Sequence, residues 1–402
     1  MDVIQRIRAF DAGRNAELLQ VKYANMRESG FAFFRGTAHL FHERLGRDRL
    51  TRSTPRVWTC GDLHLENFGG YCAANGLAHF DITDFDQAAL APTNWELVRM
   101  LASIHVAGDK FEMKRAKARR LCEIFVQAYA SALAGGKAYW VEREIAQGLV
   151  RTLLDGLRKE AHGKLVDERT EMRGRKRVLR LDKDKALPVT AAQRKAVTAF
   201  MESFAKAQDD PAMFHLLDVA QRVSGLGSLG VDRYVLLVRG GSRDGNALLD
   251  LKQARPSSLA GELKRQPRWL TEAHRVVALQ NRLQAVPPAF LQPVLLDETA
   301  FVLRSLQPSA DRISLKGVKK VDSELEQALG TLGQLVAWAQ LRSAGREGSA
   351  IADKLIEFSR TKNWREPLLD DAEACAQKAR DDAATFNTAF DDGAFAQAAR
   401  GI

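Results

Sequence analysis

The sequence predicts a helix-rich α+β fold with two lobes. Apolar side chains recur at helical spacing along most of the 402 residues, and 46% of the residues are hydrophobic, which is enough for sizeable cores. Two strand-rich regions interrupt the helices, at about 56 to 86 and about 219 to 306. We therefore expect a sheet lobe at 215 to 306, with 1 to 210 and 307 to 402 forming a helical lobe around it.

Composition and charge narrow the class of protein. With 27% charged residues and no apolar run long enough to span a bilayer, we expect a soluble protein without a membrane partner. The first residues lack the apolar core of a signal peptide, and the four cysteines have no paired spacing, so we expect a cytoplasmic location. The sequence leaves the oligomeric state open.

The net charge of +10 is unevenly distributed along the chain. Basic residues crowd the segment from Arg173 to Lys185, but acids are interleaved and no aromatic side chains alternate with the bases. This pattern argues against a nucleic-acid partner, since single-stranded binding sites use aromatic stacking platforms. We expect the region from about 161 to 188 to be an exposed loop or linker.

Residues 60 to 69 have a pattern typical of phosphoryl-transfer enzymes. Asn67 follows Asp62 by five residues, and Asp84 lies in an apolar-acidic run after a short glycine-containing connection. In this chemistry the first Asp orients the acceptor hydroxyl, while the Asn and the later Asp hold Mg²⁺. Oxygen ligands suit Mg²⁺, which takes one or two carboxylates from a protein and keeps several waters. An ordinary turn is the alternative, because Asp is common in turns.

A glycine-rich turn precedes the apolar run from Tyr234 to Val238, and its residues are Gly225, Gly227, Ser228 and Gly230. A dinucleotide-binding fold needs a helix directly after such a turn, and the strand-like run excludes it. A glycine-rich hairpin over phosphates, with Lys252 at the end of the third strand, is the arrangement of a kinase amino-terminal lobe. An exposed strand lysine is the alternative.

The order of these motifs differs from that of an ordinary kinase, in which the glycine-rich turn precedes the catalytic loop. A circular permutation accounts for this order, since permutation is tolerated where termini lie close together at the surface. After Lys252 the chain continues as a kinase would, with a helical stretch containing Glu262 and Glu272, a hinge strand from Phe301 to Leu306, and further helices.

Six segments look like an uncharacterised bacterial family, domain of unknown function twenty-two fifty-two, whose motifs are similar to those of aminoglycoside phosphotransferases and other kinase-like enzymes. The segments are Ser29 to Gly36, Gly61 to Gly69, Ile82 to Asp86, Trp95 to Met100, Ser224 to Tyr234 and Leu251 to Ala254. The resemblance covers nearly the whole chain. It implies a bilobal protein-kinase-like fold, here circularly permuted, and assigns no substrate.

The phosphotransferase pattern then implies a role for each matching residue. Asp62 is the base that orients the acceptor, Lys252 binds the nucleotide phosphates, and the remaining assignments are Asn67 and Asp84 on Mg²⁺, and Gly225, Gly227, Ser228 and Gly230 over ATP. The chain departs from the pattern at Cys60, where small-molecule kinases usually have His, and at Asp86, which replaces the last glycine of a protein-kinase metal motif.

Several neighbouring residues have two interpretations. Lys252 needs an acidic partner, and we prefer Glu272 to Glu262. His64 either assists proton transfer or braces the loop through a structural hydrogen bond. Thr93 and Glu96 have the spacing of a capping box that begins a helix.

The leading hypothesis is an ATP- and Mg²⁺-dependent phosphotransferase that acts on a hydroxyl of a small-molecule acceptor. One alternative transfers AMP, with the nucleotide bound in the reverse sense, and another is a pseudokinase that only binds nucleotide. A further alternative is a metal-dependent hydrolase built from Asp62, His64, Asp81 and Asp84. The hydrolase would need metal but no nucleotide.

Overall fold

The computed structural model describes residues 2–45, 54–109, 112–159, 162–182, 185–241, 245–307 and 322–396. It is a mixed α+β structure with 52% helix and 18% strand, which confirms the helix-rich class. The helices are α1 (Val3–Asp11), α2 (Ala16–Glu28), α3 (Gly30–Gly36), α4 (Ala38–Leu45), α5 (Thr93–Asp109), α6 (Arg115–Gly135), α7 (Gly148–Lys159), α8 (His162–Arg169), α9 (Ala191–Lys206), α10 (Glu272–Leu283), α11 (Asp322–Ser343), α12 (Ala352–Arg360) and α13 (Arg365–Asp391).

The strands form one large sheet and three small ones. They are β1 (Arg56–Thr59), β2 (Phe68–Cys72), β3 (Ala78–Ile82), β4 (Ala89–Pro92), β5 (Val141–Glu142), β6 (Thr170–Arg173), β7 (Lys176–Leu179), β8 (Ala186–Leu187), β9 (Leu216–Arg222), β10 (Arg233–Val238), β11 (Ala247–Gln253), β12 (Gln292–Leu296) and β13 (Thr299–Ser305). The large antiparallel sheet has the order β12-β13-β11-β10-β9-β8 and curls into a half-barrel. In the small sheets β1 pairs with β4, β3 lies between β2 and β5, and β6 pairs with β7.

The large sheet has two faces with different side chains, because successive side chains of a strand point to opposite faces. One face packs against α9 through buried apolar side chains such as Val197, Leu236 and Leu249. Helix α9 begins with the capping box of Thr190 and Gln193. The strand expected near the hinge is also present, as β13.

The helices surround a second core, to which α10 and β13 also contribute. Helix α5 is buried along almost its whole length and packs against α6 and α13, while α11 packs against α6. This core joins residues 34–157 to residues 325–379, so the regions before and after the large sheet share it. No helix within the described ranges is both long and apolar enough to cross a membrane.

The basic region is not the loop that its charge suggests. It forms α8, the β6–β7 hairpin and β8, and β8 extends the large sheet by pairing with β9. The physical reason is a set of apolar residues among the basic ones: Leu165, Val166 and Leu179 are buried against the sheet. Residues 183–184 lie outside the described residues.

Candidate functional site

The loop that carries Asp62 and Asn67 links β1 to β2. Gly61 begins it with a φ of 87°, a conformation that residues with a side chain rarely adopt. A Cβ atom at Gly61 would lie 1.9 Å from the carbonyl oxygen of Gln87, so a second segment of backbone approaches the loop here. Leu65–Asn67 then form a single 3-10 turn before β2. The glycine of the motif is therefore required by its backbone conformation and by this close approach.

Helix α5 holds this loop at three successive points through polar side chains on one face. Residues three or four positions apart are neighbours on a helix surface, so this polar stripe faces the loop along its length. The three bonds are Cys60 N to Glu96 Oε1 at 2.7 Å, Arg99 Nε to Asp62 Oδ1 at 2.9 Å, and Leu65 N to Ser103 Oγ at 3.1 Å.

The expected capping box at the start of α5 is not formed. Thr93 Oγ1 lies 2.9 Å from the Tyr129 hydroxyl and 3.2 Å from Gln340 Oε1, and it lies in the core. Glu96 is also buried and accepts from Gln340 Nε2 at 3.1 Å as well as from the loop. Glu96 therefore supports the loop instead of capping its own helix.

Arg99 orients the carboxylate of Asp62. Its guanidinium is buried, lies 3.5 Å from the centre of the Phe34 ring, and donates to the Phe34 carbonyl at 2.7 Å. Burial lowers the pKa of Arg99 and raises the pKa of Asp62, and the ion pair between them opposes both effects. Arg99 contacts Asp62 Oδ1, and within the described residues no hydrogen bond reaches Oδ2. The Oδ2 oxygen of Asp62 thus stays available to a bound group.

Asn67 connects Asp62 to Asp84. Its amide nitrogen donates to the Asp62 carbonyl at 3.0 Å, and its amide oxygen accepts from the Asp84 backbone nitrogen at 2.9 Å. Asp84 is exposed, and its Oδ1 accepts from the Asp86 nitrogen at 3.2 Å. The loop after β3 is therefore fixed against the loop after β1, and this keeps Asp62, Asn67 and Asp84 close together.

Lys252 reaches this same place from the large sheet. It lies at the end of β11, its side chain is 9% exposed, and its Nζ forms an ion pair with Asp86. Asp86 lies two residues after Asp84, so the ion pair joins the sheet to the loop that carries the predicted metal ligand.

The expected ion pair between Lys252 and Glu272 is wrong. Glu272 accepts from Arg275 Nε at 2.6 Å, because the two residues are three positions apart on α10. Arg275 also donates to the Asp86 carbonyl at 2.8 Å and to the Ala88 carbonyl at 2.7 Å. Glu272 therefore acts on the site only through Arg275, which holds the loop after Asp84.

The glycine-rich turn lies between β9 and β10 and is held by the amino-terminal helices. Gly225 has a φ of 80° and opens a 3-10 turn over Leu226–Ser228. Arg14, between α1 and α2, donates to the Gly227 carbonyl at 2.8 Å, and the Asn15 amide donates to the Gly230 carbonyl at 2.9 Å. The turn is thus fixed from outside.

Three cavities meet at these residues. The first is lined by both loops and by the glycine-rich turn: Asp62, His64, Glu66, Asn67, Asp84, Asp86, Gly225, Gly227 and Ser228. The second shares Asp84 and Gly225 with it and adds Lys252. The third lies beside Asp86, Lys252 and Ser228.

The structure thus brings together most of the residues that the sequence singles out. Gly230 and Glu272 line none of these three cavities. His64 is buried at the wall of the first cavity, with its ring centre 6.2 Å from that of Phe31 in an edge contact. Glu66 in the same cavity pairs with Arg35.

The oxygen ligands of the first cavity suit Mg²⁺. Asn67 and Asp84 supply an amide oxygen and a carboxylate, and a carbonyl oxygen that accepts one hydrogen bond retains a second lone pair. The described residues contain no group of three or more His, Cys, Asp or Glu that would hold a metal unaided. Mg²⁺ does not need such a cage, because waters and substrate phosphates complete its shell.

Sequence reasoning missed Arg99, Ser103, Arg275 and the arginines of the second cavity. One signal was available for the first two. Glu96, Arg99 and Ser103 are polar residues at helical spacing in an otherwise apolar helix, which indicates a buried polar face that needs partners. Arg275 has a local partner in Glu272, but the carbonyl groups that it binds at the site belong to a distant segment. The arginines of the second cavity likewise meet their partner from separate strands, and nothing local marks them.

Comparison with known proteins assigns the chain to a family without giving an activity. No curated protein and no solved structure matches it. A family model described as "Uncharacterized protein conserved in bacteria (DUF2252)" matches residues 14–389. This range contains all three loops of the site. The chain therefore belongs to this bacterial family, as the six motif segments predict.

Proposed function

We propose that this protein is an ATP- and Mg²⁺-dependent phosphotransferase of the kinase-like class, acting on a hydroxyl of a small-molecule acceptor. The observation that carries the proposal is the meeting of Lys252 with Asp84 and Asp86. Lys252 pairs with Asp86 although 166 residues separate them, and Lys252 and Asp84 line one cavity. A phosphotransferase needs these residue types together around its nucleotide phosphates.

The topology of the large sheet supports the same class. The glycine-rich turn joins the first and second strands of the β9–β10–β11 meander, Lys252 ends the third strand, and α10 follows before β12 and β13. In a kinase amino-terminal lobe, the glycine-rich loop, the lysine and the helix follow one another in the same order along the chain. The shared core of the first and last helices supports a circularly permuted helical lobe, since permutation moves one part of a domain to the other end of the chain.

Each residue then has a chemical task. Asp62, oriented by Arg99, would accept the proton of the acceptor hydroxyl through Oδ2 while the hydroxyl oxygen attacks the γ-phosphorus of ATP, and the bond from that phosphorus to the bridging oxygen breaks as ADP leaves with the electron pair. Lys252 and the backbone of the glycine-rich turn would bind phosphate oxygens, and Asn67 and Asp84 would hold the metal. Bound Mg²⁺ would neutralise phosphate charge. Catalysis is then largely positioning and electrostatic stabilisation, which these fixed loops supply.

Two observations bear on the alternatives. A pseudokinase that only binds nucleotide has no use for a buried arginine that orients Asp62, so Arg99 favours an active enzyme. Transfer of AMP is a second candidate, because the second cavity is lined by arginines, whose guanidinium groups match phosphate oxygens. We also propose a cytoplasmic location, since all four cysteines are free thiols.

An acceptor screen tests the proposal. Purified protein is incubated with ATP, Mg²⁺ and a panel of hydroxyl-bearing metabolites and aminoglycosides, and acceptor-dependent ADP release is measured. Asp62→Asn should lower the rate by about 10²–10⁴-fold, whereas Asp209→Asn, at an exposed turn, should not. A hydrolytic activity that needs metal but no nucleotide and survives in Lys252→Met would contradict the proposal.

A further inference from the structure

Three arginines share a single carboxylate on the face of the large sheet that also carries Lys252. Asp250 of β11 lies 2.8 Å from Arg222, 2.6 Å from Arg233 and 3.5 Å from Arg304, which belong to β9, β10 and β13 respectively. Within the described residues no other carboxylate forms an ion pair with these arginines. The cluster carries a net charge of +2, since one acid faces three bases.

Burial makes this charge costly to leave uncompensated. The side chains of Arg222, Arg233 and Arg304 are only 11%, 7% and 21% exposed, and that of Asp250 is 2% exposed. Although burial alone would raise the pKa of Asp250, the three guanidinium groups hold it well below its usual range. Burial and repulsion from Arg233 lower the pKa of Arg222 to about 9. Buried charges in proteins are normally paired, so this surplus of positive charge is suited to binding an anion.

The surrounding cavity has the chemistry to accept one. Asp250 and the three arginines line the second cavity together with Lys252 and the amide side chains of Gln280, Gln284 and Gln307. Tyr71 and Pro288 are the large apolar residues of its lining. Sites for a purine ring are usually apolar and aromatic. Guanidinium groups instead match the planar, bidentate geometry of phosphate oxygens.

We propose that the second cavity is a phosphate subsite, in which Arg222, Arg233 and Arg304 bind a phosphate-bearing group. The inference rests on the proposed function only in taking the nucleotide or its acceptor as the source of that phosphate. The cavity shares Asp84 and Gly225 with the first cavity, so the bound group lies next to the site of transfer.

Two sources of phosphate fit this position. If the nucleotide binds in the reverse sense, its terminal phosphates occupy the second cavity and its α-phosphorus faces Asp62. The acceptor oxygen then bonds to the α-phosphorus, the bond to the bridging oxygen breaks, pyrophosphate leaves with that electron pair, and Asp62 takes the hydroxyl proton. If the nucleotide has the ordinary sense, the phosphate belongs to a phosphorylated acceptor.

Calorimetry with inorganic tripolyphosphate, a probe without base or ribose, tests the subsite. The native chain should bind it, and Arg304→Gln, at the least buried of the three arginines, should weaken the affinity at least tenfold. Arg222→Gln should have the same effect. Arg173→Gln, on the exposed β6–β7 hairpin, is the matched control and should bind as the native chain does.

Thermal unfolding of each variant shows whether it is folded, and tripolyphosphate should raise the midpoint of the native chain more than that of Arg304→Gln. Competition with ATP identifies the source: displacement of tripolyphosphate supports the reversed nucleotide, and simultaneous binding supports a phosphorylated acceptor. Absence of tripolyphosphate binding, or equal affinity in Arg304→Gln and the native chain, overturns the subsite. ATP binding without tripolyphosphate binding would overturn the subsite alone, whereas the reverse would overturn the proposed function alone.

Discussion

Lys252 and Asp86 form an ion pair across the cleft, joining the end of β11 to the loop that follows β3. Through this contact the glycine-rich half and the aspartate-rich half of the chain form one site. Because the lysine is nearly buried, its ammonium group needs a counter-charge, which Asp86 supplies until a phosphate replaces it. Asp86 lies two residues after Asp84, so this contact places Lys252 beside the predicted metal ligand.

Removing each candidate partner of Lys252 in turn tests whether Asp86 or Glu272 forms its ion pair. Asp86→Asn should lower the free energy of unfolding by about 1–3 kcal/mol, because a nearly buried ammonium loses its counter-charge. Glu272→Gln should cost less than about 1 kcal/mol, since Arg275 keeps its backbone acceptors. Urea denaturation measures both, and excess MgATP should reduce the deficit of Asp86→Asn. A larger loss in Glu272→Gln would restore Glu272 as the partner.

The polar face of α5 can be tested at Ser103. Ser103→Ala removes the acceptor of the buried Leu65 amide, which should cost about 1–3 kcal/mol of unfolding free energy. Ser131→Ala on α6 is the matched control, because its hydroxyl is exposed, and it should change stability by less than about 0.5 kcal/mol. Equal losses in denaturant titrations of the two variants would show that the Ser103 bond does not support the loop.

Gly61 and Gly76 separate backbone strain from steric contact. Both have positive φ, 87° and 78°, but a Cβ atom meets the Gln87 carbonyl only at Gly61, while Gly76 faces open space. Gly76→Ala should lower the free energy of unfolding by about 1–2 kcal/mol from backbone strain alone. Gly61→Ala should lower it several-fold more and abolish nucleotide binding, because the loop that carries Asp62 must move away from the Gln87 carbonyl. Similar melting temperatures for the two variants would contradict the close approach.

The environment of Asp62 predicts a pH dependence. Burial raises the pKa of Asp62, against the opposing effect of Arg99. The carboxylate form is the base, so the rate of transfer should fall as the pH drops through this raised value, above the range of an ordinary aspartate. The pH profile of kcat/KM measures this, and Asp62→Asn should lack the acid limb. A rate that stays constant down to the range of an unperturbed aspartate would exclude Asp62 as the base.

Local patterns in the sequence predict the elements that depend on local chemistry. The glycine-rich turn lies between two strands, as the strand-like run after it predicts. The loops of Asp62 and Asp84 also adopt tight turns in which Asn67 bonds to both. In each case the partners are close in sequence, so propensity and hydrogen-bonding type are sufficient.

Distant partners are the part that the sequence does not predict. Glu96 has the spacing of a helix cap, but the Cys60 amide competes for its carboxylate and prevails because it is buried without another acceptor. Lys252 takes Asp86 rather than the nearer Glu272, and the arginines of the second cavity come from three separate strands. Such pairings are decided by how whole segments pack, and one sequence does not contain that information in local form.

The central claim is that the two halves of the chain build one nucleotide site. Calorimetry of Mg²⁺-dependent ATP binding, comparing the native chain with Asp84→Asn and Lys252→Met, tests it most directly. The account predicts binding to the native chain that weakens at least tenfold in both variants, because both side chains face the same phosphates. Absence of binding to the native chain, or a loss confined to one variant, would contradict it.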